Sequence, residues 1–155
     1  MAGSVDRVRD ALTAAGHADA IVTFPASTRT AADAAAAVGC EVAQIAKSIL
    51  FRAGERPVLV VASGANRIDA AKVSGIVGMS VERPDASWVR QVTGFAIGGV
   101  APVGHLTPPV VLIDQDLGKL DRIWAAAGAP NAVFETRFDD LVRISGGEVA
   151  DIAEG

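Results

Sequence analysis

One lysine, Lys47, interrupts the apolar run Ile45-Ala46-Lys47-Ser48-Ile49-Leu50-Phe51. On a half-buried strand it places an ammonium where neighbouring positions place a methyl. Farther along, Gly98-Gly99-Val100-Ala101-Pro102-Val103-Gly104-His105 gathers three glycines and a proline. Gly98 and Gly99 open backbone conformations closed to other residues, and Pro102 fixes the far side of the loop. Such a loop can aim its own N–H groups at a carbonyl oxygen, and a cation with amide donors makes a site for an oxyanion or a carbonyl. Both parts also have plainer uses. A strand lysine can snorkel to the sheet edge with its stem over apolar surface, and a glycine-rich stretch can simply connect two strands. The loop matches neither the P-loop nor the dinucleotide fingerprint.

Other polar groups add options. His105 adjoins the loop and fits a general base, a donor to substrate or a plain structural residue. His17 follows the helix-ending Gly16 and reads as inert. Two distant histidines and one cysteine cannot build a zinc cluster. Ser63-Gly64-Ala65-Asn66-Arg67-Ile68-Asp69 follows a strand and offers small polar groups and a cation, or only turn and cap chemistry. Pro25-Ala26-Ser27-Thr28-Arg29-Thr30 carries the same two readings. Cys40 reads as a packing residue. No Gly-x-Ser-x-Gly elbow is present, which argues against a serine hydrolase.

These residues need elements to hold them. Val5, Val8, Leu12 and Ala15 recur at helical spacing and Gly16 ends that helix. Thr30 with Asp33 resembles a capping box for a helix reaching Val38. Residues 48–52 and 57–62 read as a hairpin about the turn 53–56. Asp69 caps a short helix to Ser74, with Gly75 as its end. Pro84 and Asp85 open a helix whose Trp88, Val89, Val92 and Phe95 share one face. Residues 110–113, 123–127 and 132–135 read as strands, Asp114 as a cap after the first, and 139–144 as a last helix. Strands and helices mix without strict alternation. This predicts an α+β fold: one domain over 1–155, with a curved, mostly antiparallel mixed sheet flanked by helices.

Composition sets the outer bounds. The 155 residues are 50% hydrophobic, enough for a core, and no apolar run approaches a membrane span. The net charge of −4 argues against gripping nucleic acid by bulk electrostatics, although a local basic face is compatible with it. One cysteine and no visible secretory signal predict a cytoplasmic protein.

The ordered segments resemble one family. They are 25–31, Val42-Ala43-Gln44-Ile45-Ala46-Lys47-Ser48-Ile49-Leu50-Phe51, 63–69, and Thr93-Gly94-Phe95-Ala96-Ile97-Gly98 running on to His105. This set is similar to the YbaK/EbsC family, aminoacyl-tRNA deacylases related to the editing domain inserted in bacterial prolyl-tRNA synthetase. The likeness spans roughly residues 21–145. It implies a single domain around a curved mixed sheet and hydrolysis of the ester joining a wrong amino acid to tRNA, usually the proline tRNA. Lys47 lies where the family's essential lysine lies. Gly98 and Pro102 match the ends of its Gly-x-x-x-Pro loop, which shapes the amino-acid pocket and places the scissile carbonyl. The position of His105 varies between branches.

The expected catalytic set is Lys47, Gly98, Gly99, Pro102, Gly104 and His105, of which the resemblance supplies Lys47, Gly98 and Pro102. Thr28, Thr30, Ser63, Gly64 and Asn66 are the expected substrate contacts, and Arg29, Arg52 and Arg67 the acceptor-stem contacts. No metal, cofactor or covalent nucleophile is required, because the vicinal ribose hydroxyl can assist water. The chain has no tyrosine, and residues 131–133 lack an acidic residue that some members carry. Both departures point away from cysteine and toward serine, threonine, alanine or a similarly small side chain. The expected partners are mischarged tRNA at its acceptor end, and prolyl-tRNA synthetase or an elongation factor to present it. A non-catalytic module binding tRNA or the synthetase is the competing reading, and a small-molecule amidase or esterase a third.

Overall fold

The computed structural model describes residues 3–25 and 30–155. Thr28 and Arg29, both expected at the site, lie outside the described residues. The elements follow in order: α1 (Ser4–Ala14), β1 (Ile21–Thr23), α2 (Ala31–Val38), β2 (Ile45–Ala53), β3 (Arg56–Ser63), α3 (Ala70–Val77), α4 (Ala86–Thr93), β4 (Val110–Asp114), β5 (Ile123–Ala126), β6 (Ala132–Thr136), α5 (Phe138–Ser145) and β7 (Glu148–Ala150). The strands form one sheet in the order β1-β6-β5-β2-β3-β4-β7. Pairs β1–β6, β2–β3 and β5–β6 are antiparallel. Pairs β2–β5, β3–β4 and β4–β7 are parallel, with shorter ladders than the eight-residue β2–β3 hairpin. The expected mixed α/β architecture is present.

The period-two geometry of β2 and β3 sorts their side chains onto two faces. Ala46, Leu50, Leu59 and Val61 turn to the larger core, which also takes Val8 and Leu12 of α1, Val89 of α4 and Leu141 of α5. Phe51, Ala53, Val58, Val60 and Ala62 turn the other way, against Val73 of α3. Helices therefore cover both faces of a central hairpin buried along most of its length.

Several boundaries differ from the sequence reading. Strand β2 starts at Ile45, so Lys47 sits inside the strand. Helix α3 continues through Gly75 and ends at Gly78, whose φ of 83° makes it the left-handed cap. Helix α4 stops at Thr93 with Gly94 as its cap, so Phe95 packs into the core from the loop beyond. Strands β1 and β7, three residues each, had no pattern long enough to read.

The site originates in one topological feature. Parallel pairing of β2 with β5 consists of Ile45↔Trp124 and Ala46↔Ala125, and then the strands part. Odd-numbered residues of β2 exchange hydrogen bonds with β3, a pattern that ends in the 2.7 Å bond from the Gly64 N–H to the Ile45 carbonyl. Ser48 and Leu50 therefore turn their N–H and C=O groups to the opposite edge. No described strand pairs them there until Arg52 bridges to Glu82.

Candidate active site

A cleft of about 360 Å³ occupies the space where β2 and β5 diverge. Lys47, Ser48 and Ile49 form one wall, Gly98 and Val100 a second, and the β5–β6 turn, with Ala129 and Pro130, a third. Ala31, Ala34, Ala125, Ala126 and Val133 give small apolar lining beside the larger Ile45, Ile97 and Trp124, and Thr30 also lines it. Lys47 and Gly98, 51 positions apart in the chain, thus meet in one cavity.

Lys47 is half-buried, and its Nζ donates to the Asn66 carbonyl at 2.5 Å. A rigid frame fixes that carbonyl. Asn66 Nδ2 donates to Asp114 Oδ2 and to Asp116 Oδ2, both at 2.8 Å. The Ser63 N–H also donates to Asp114 Oδ2, at 3.1 Å, and the Ser63 hydroxyl donates to the Ala43 carbonyl at 2.7 Å. Asp114 is fully buried, and Asn66 Nδ2, the Ser63 N–H and the Asp116 N–H compensate its charge. Burial lowers the Lys47 ammonium from the ordinary lysine value, the Asp114 carboxylate raises it again, and the Arg67 guanidinium lowers it.

The opposite wall is held from α1. Arg7 donates through Nε to the Gly104 carbonyl at 3.2 Å and through a terminal nitrogen to the Thr93 carbonyl at 3.4 Å. Its guanidinium lies 4.8 Å from the Phe95 ring centroid. One turn earlier, the Ser4 hydroxyl donates to the Gly128 carbonyl at 2.6 Å. One helix therefore fastens both the 98–105 loop and the β5–β6 turn. These walls touch at Gly99, where an added Cβ would stand 2.8 Å from the Ala129 Cα. Only glycine permits that approach. The N–H of Gly99 donates to the Ala96 carbonyl at 2.9 Å, while those of Gly98 and Val100, both on the cleft, have no acceptor among the described residues.

Other expected residues lie elsewhere. The His105 ring is largely buried behind the loop, with Nε2 2.6 Å from the Ala101 carbonyl. It packs edge-on against Phe95 and lines no described cleft. A carbonyl can only accept, so Nε2 carries the proton, and Nδ1 is buried without a partner. Desolvation lowers its pKa, the Ala101 contact raises it, and Arg7 lowers it again. Pro102 is buried under the loop, and Gly104 offers its carbonyl to Arg7. Ser63, Gly64 and Asn66 stand behind Lys47 instead of on the cleft. A Cβ at Gly64 would meet the Val42 carbonyl at 2.4 Å, so that glycine serves close packing. Arg52 pairs with Glu55 at 2.6 Å and lies over Trp88, away from the cleft. Thr30 caps α2, its hydroxyl accepting from the Asp33 N–H at 3.1 Å. Arg67 is exposed at the mouth of a neighbouring cleft that shares Lys47.

Sequence reasoning missed Ser4, Arg7, Asp114 as an anchor, and Ser48. The Ser48 hydroxyl is buried beside the cleft without a partner. A serine inside an apolar strand was the available signal for it. Among the described residues no three His, Cys, Asp or Glu side chains come together to hold a metal, and no helix is long and apolar enough to cross a membrane.

Residues 25–144 match the aminoacyl-tRNA editing domain family. The Bacillus subtilis (strain 168) protein named Uncharacterized protein YwhH is 31% identical over 143 residues, covering 92% of this chain and 91% of its own. A proline–tRNA ligase of Lactobacillus helveticus (strain DPC 4571) is 29% identical over 93 residues, 59% of this chain but 16% of the ligase. The chain thus matches a small part of that enzyme. A crystal structure described as a candidate trans-editing enzyme for prolyl tRNA synthetase superposes with a TM-score of 0.94 and 44% identity, over 100% of this chain and 99% of the other.

Proposed function

The chain belongs to the aminoacyl-tRNA editing domain family, and on that premise we propose that it hydrolyses, in trans, the ester of a mischarged proline tRNA carrying serine, threonine, alanine or a similarly small amino acid. The observation that carries this reading is that Lys47 lines one cleft with Gly98 and Val100, whose amides have no acceptor among the described residues. The full-length likeness to a structure described as a trans-editing candidate supports the mode of action. The alanine-lined walls support a small side chain.

In this reading Lys47 holds the terminal phosphate or the ester carbonyl and keeps the ester in line. Water, assisted by the vicinal ribose hydroxyl, attacks the carbonyl carbon. Charge develops on the carbonyl oxygen, where the amides of Gly98 and Val100 receive it, one such donor being worth about 3 kcal/mol. The bond from the carbonyl carbon to the ribose oxygen breaks, the proton from water passes to that oxygen, and the free amino acid leaves. With a net charge of −4 the chain has weak bulk attraction for RNA, so a prolyl-tRNA synthetase or elongation factor presents the substrate.

The test is a panel of proline tRNAs charged with serine, threonine, alanine, cysteine and proline. Release of a small amino acid, with proline spared, supports the proposal. Binding without release identifies a non-catalytic module instead. Lys47→Ala should lower turnover by about a thousandfold, two lost charge-assisted contacts in scale, while the melting temperature holds. Turnover like the parent's would remove Lys47 from the mechanism.

A further inference from the structure

A second cleft, of about 470 Å³, opens on the α3 side of β2. Lys47, Ile49, Phe51, Arg67, Ile68 and Arg83 bound it. Its volume falls within the roughly 300–1,000 Å³ usual for small-ligand sites. Lys47 and Ile49 also line the ester cleft, so the two cavities meet across one lysine.

Three cations meet at this cleft without a carboxylate in ion-pairing distance among the described residues. Among the described residues, seven cationic side chains, from Arg9 to Arg143, lie within ion-pairing distance of a carboxylate. Arg67, Arg83 and Lys47 do not, although the chain as a whole is acidic. Both arginines are exposed. One acidic residue, Glu154, reaches the wall, and its backbone N–H donates to the Arg67 carbonyl at 2.8 Å. The floor between the arginines is apolar, made by Ile49, Ile68 and Phe51, with the Arg83 guanidinium 5.6 Å from the Phe51 ring centroid. Unneutralised arginines beside an apolar floor suit single-stranded nucleic acid, whose phosphates take the forked donors while a base lies on the floor.

We propose that this cleft binds the single-stranded 3′-terminal nucleotides of the RNA, with Arg67 and Arg83 on successive phosphates and a base against Ile49 and Ile68. The amino acid then lies on one side of β2, the RNA end lies on the other, and the ester crosses at Lys47. This rests on the deacylase reading above for the identity of the RNA, but the site can be tested without any turnover.

The first arm titrates the purified protein with the uncharged trinucleotide CCA and, separately, with AMP. Wild type should bind CCA, and Arg67→Gln with Arg83→Gln together should weaken it by about a hundredfold, tenfold per charged contact. The dependence of log K on log salt should flatten by about 1.4, two phosphates' worth for a single strand. Arg56→Gln, at an exposed cation that begins β3, is the control and should change neither. CCA binding that ignores both arginines, or AMP bound as tightly as CCA, overturns the proposal. The second arm measures deacylation of mischarged tRNA, where the double variant should raise KM and leave kcat within about threefold, and an unchanged KM also overturns it. Arginine-dependent CCA binding without release of any amino acid supports the cleft while sinking the deacylase reading. Release of amino acid with no role for the arginines does the reverse.

Discussion

Behind Lys47 the polar groups are paired off, while around the cleft some are not. The Asn66 carbonyl takes the lysine, the Asn66 amide spans Asp114 and Asp116, and the Ser63 hydroxyl and N–H are both used. On the facing side the amides of Gly98 and Val100 have no acceptor among the described residues, and beside Lys47 the Ser48 hydroxyl is buried without a partner. A paired network in a low-dielectric setting is stiff, which suits a part that must hold one charge at one point. Unpaired donors at a cavity are costly to the free protein and become useful when a ligand supplies the acceptor. The difference separates a positioning wall from a receiving wall.

The receiving wall breaks most severely at Gly99. An alanine there puts its Cβ 2.8 Å from the Ala129 backbone, so either the loop or the β5–β6 turn must move. Gly99→Ala should cost about 1–3 kcal/mol of stability from overpacking. It should also lower kcat/KM on the order of a hundredfold, the penalty of misplacing donors by about 1 Å. Denaturant unfolding and single-turnover deacylation read the two effects. A variant that keeps its activity would show that the loop need not touch the turn.

The positioning wall breaks more gently at Asn66. Asn66→Ala leaves the carbonyl in the chain but removes the amide that fixes it to Asp114 and Asp116. The expected result is a drop in kcat of about tenfold with KM little changed, a loss felt at the transition state. In a Lys47→Ala background the same substitution should cost nothing further, because its effect passes through the lysine. Additive losses in that double-mutant cycle would assign Asn66 a role of its own.

His105 sharpens the contrast through pH. Its folded-state pKa is depressed, chiefly by burial, so the unfolded chain takes up the proton first. The stability it contributes is complete above the unfolded value of about 6.5 and is lost as pH falls from there through the lower folded value. The melting temperature of wild type should therefore fall below that pH more steeply than that of His105→Gln. Parallel curves would mean the ring is not held neutral against Ala101.

Much of this site could be read from residue types, and the remainder could not for a definite reason. Lys47 and Gly98 carry their chemistry in plain view, a charge in an apolar run and a glycine loop. Asp114 was read as a helix cap, and one of its oxygens does accept from the Asp116 N–H, but the other serves Ser63 and Asn66 from about 50 positions away. Arg7 and Ser4 looked like ordinary helix residues because their partners lie 97 and 124 positions along the chain. Arg52 had the right charge in the right half of the sequence, and only the fold shows it committed to Glu55 and Trp88. Local patterns state what a residue can do, whereas burial and pairing decide what remains for it to do.

Ser48 gives the smallest effect and the most direct reading of the cleft's unpaired groups. Its hydroxyl is buried with no partner, a state that costs stability without return in the free protein. Ser48→Ala removes that burden at almost constant shape, so the melting temperature should hold or rise slightly. If the hydroxyl serves the substrate, deacylation should nonetheless fall severalfold, about the ~1 kcal/mol of one neutral hydrogen bond. The loss should be greatest for serine or threonine, whose own hydroxyls can complete the pair, and smaller for alanine. Equal stability with equal activity on all three substrates would make the orphaned hydroxyl a packing accident, and the contrast would then rest on the loop amides alone.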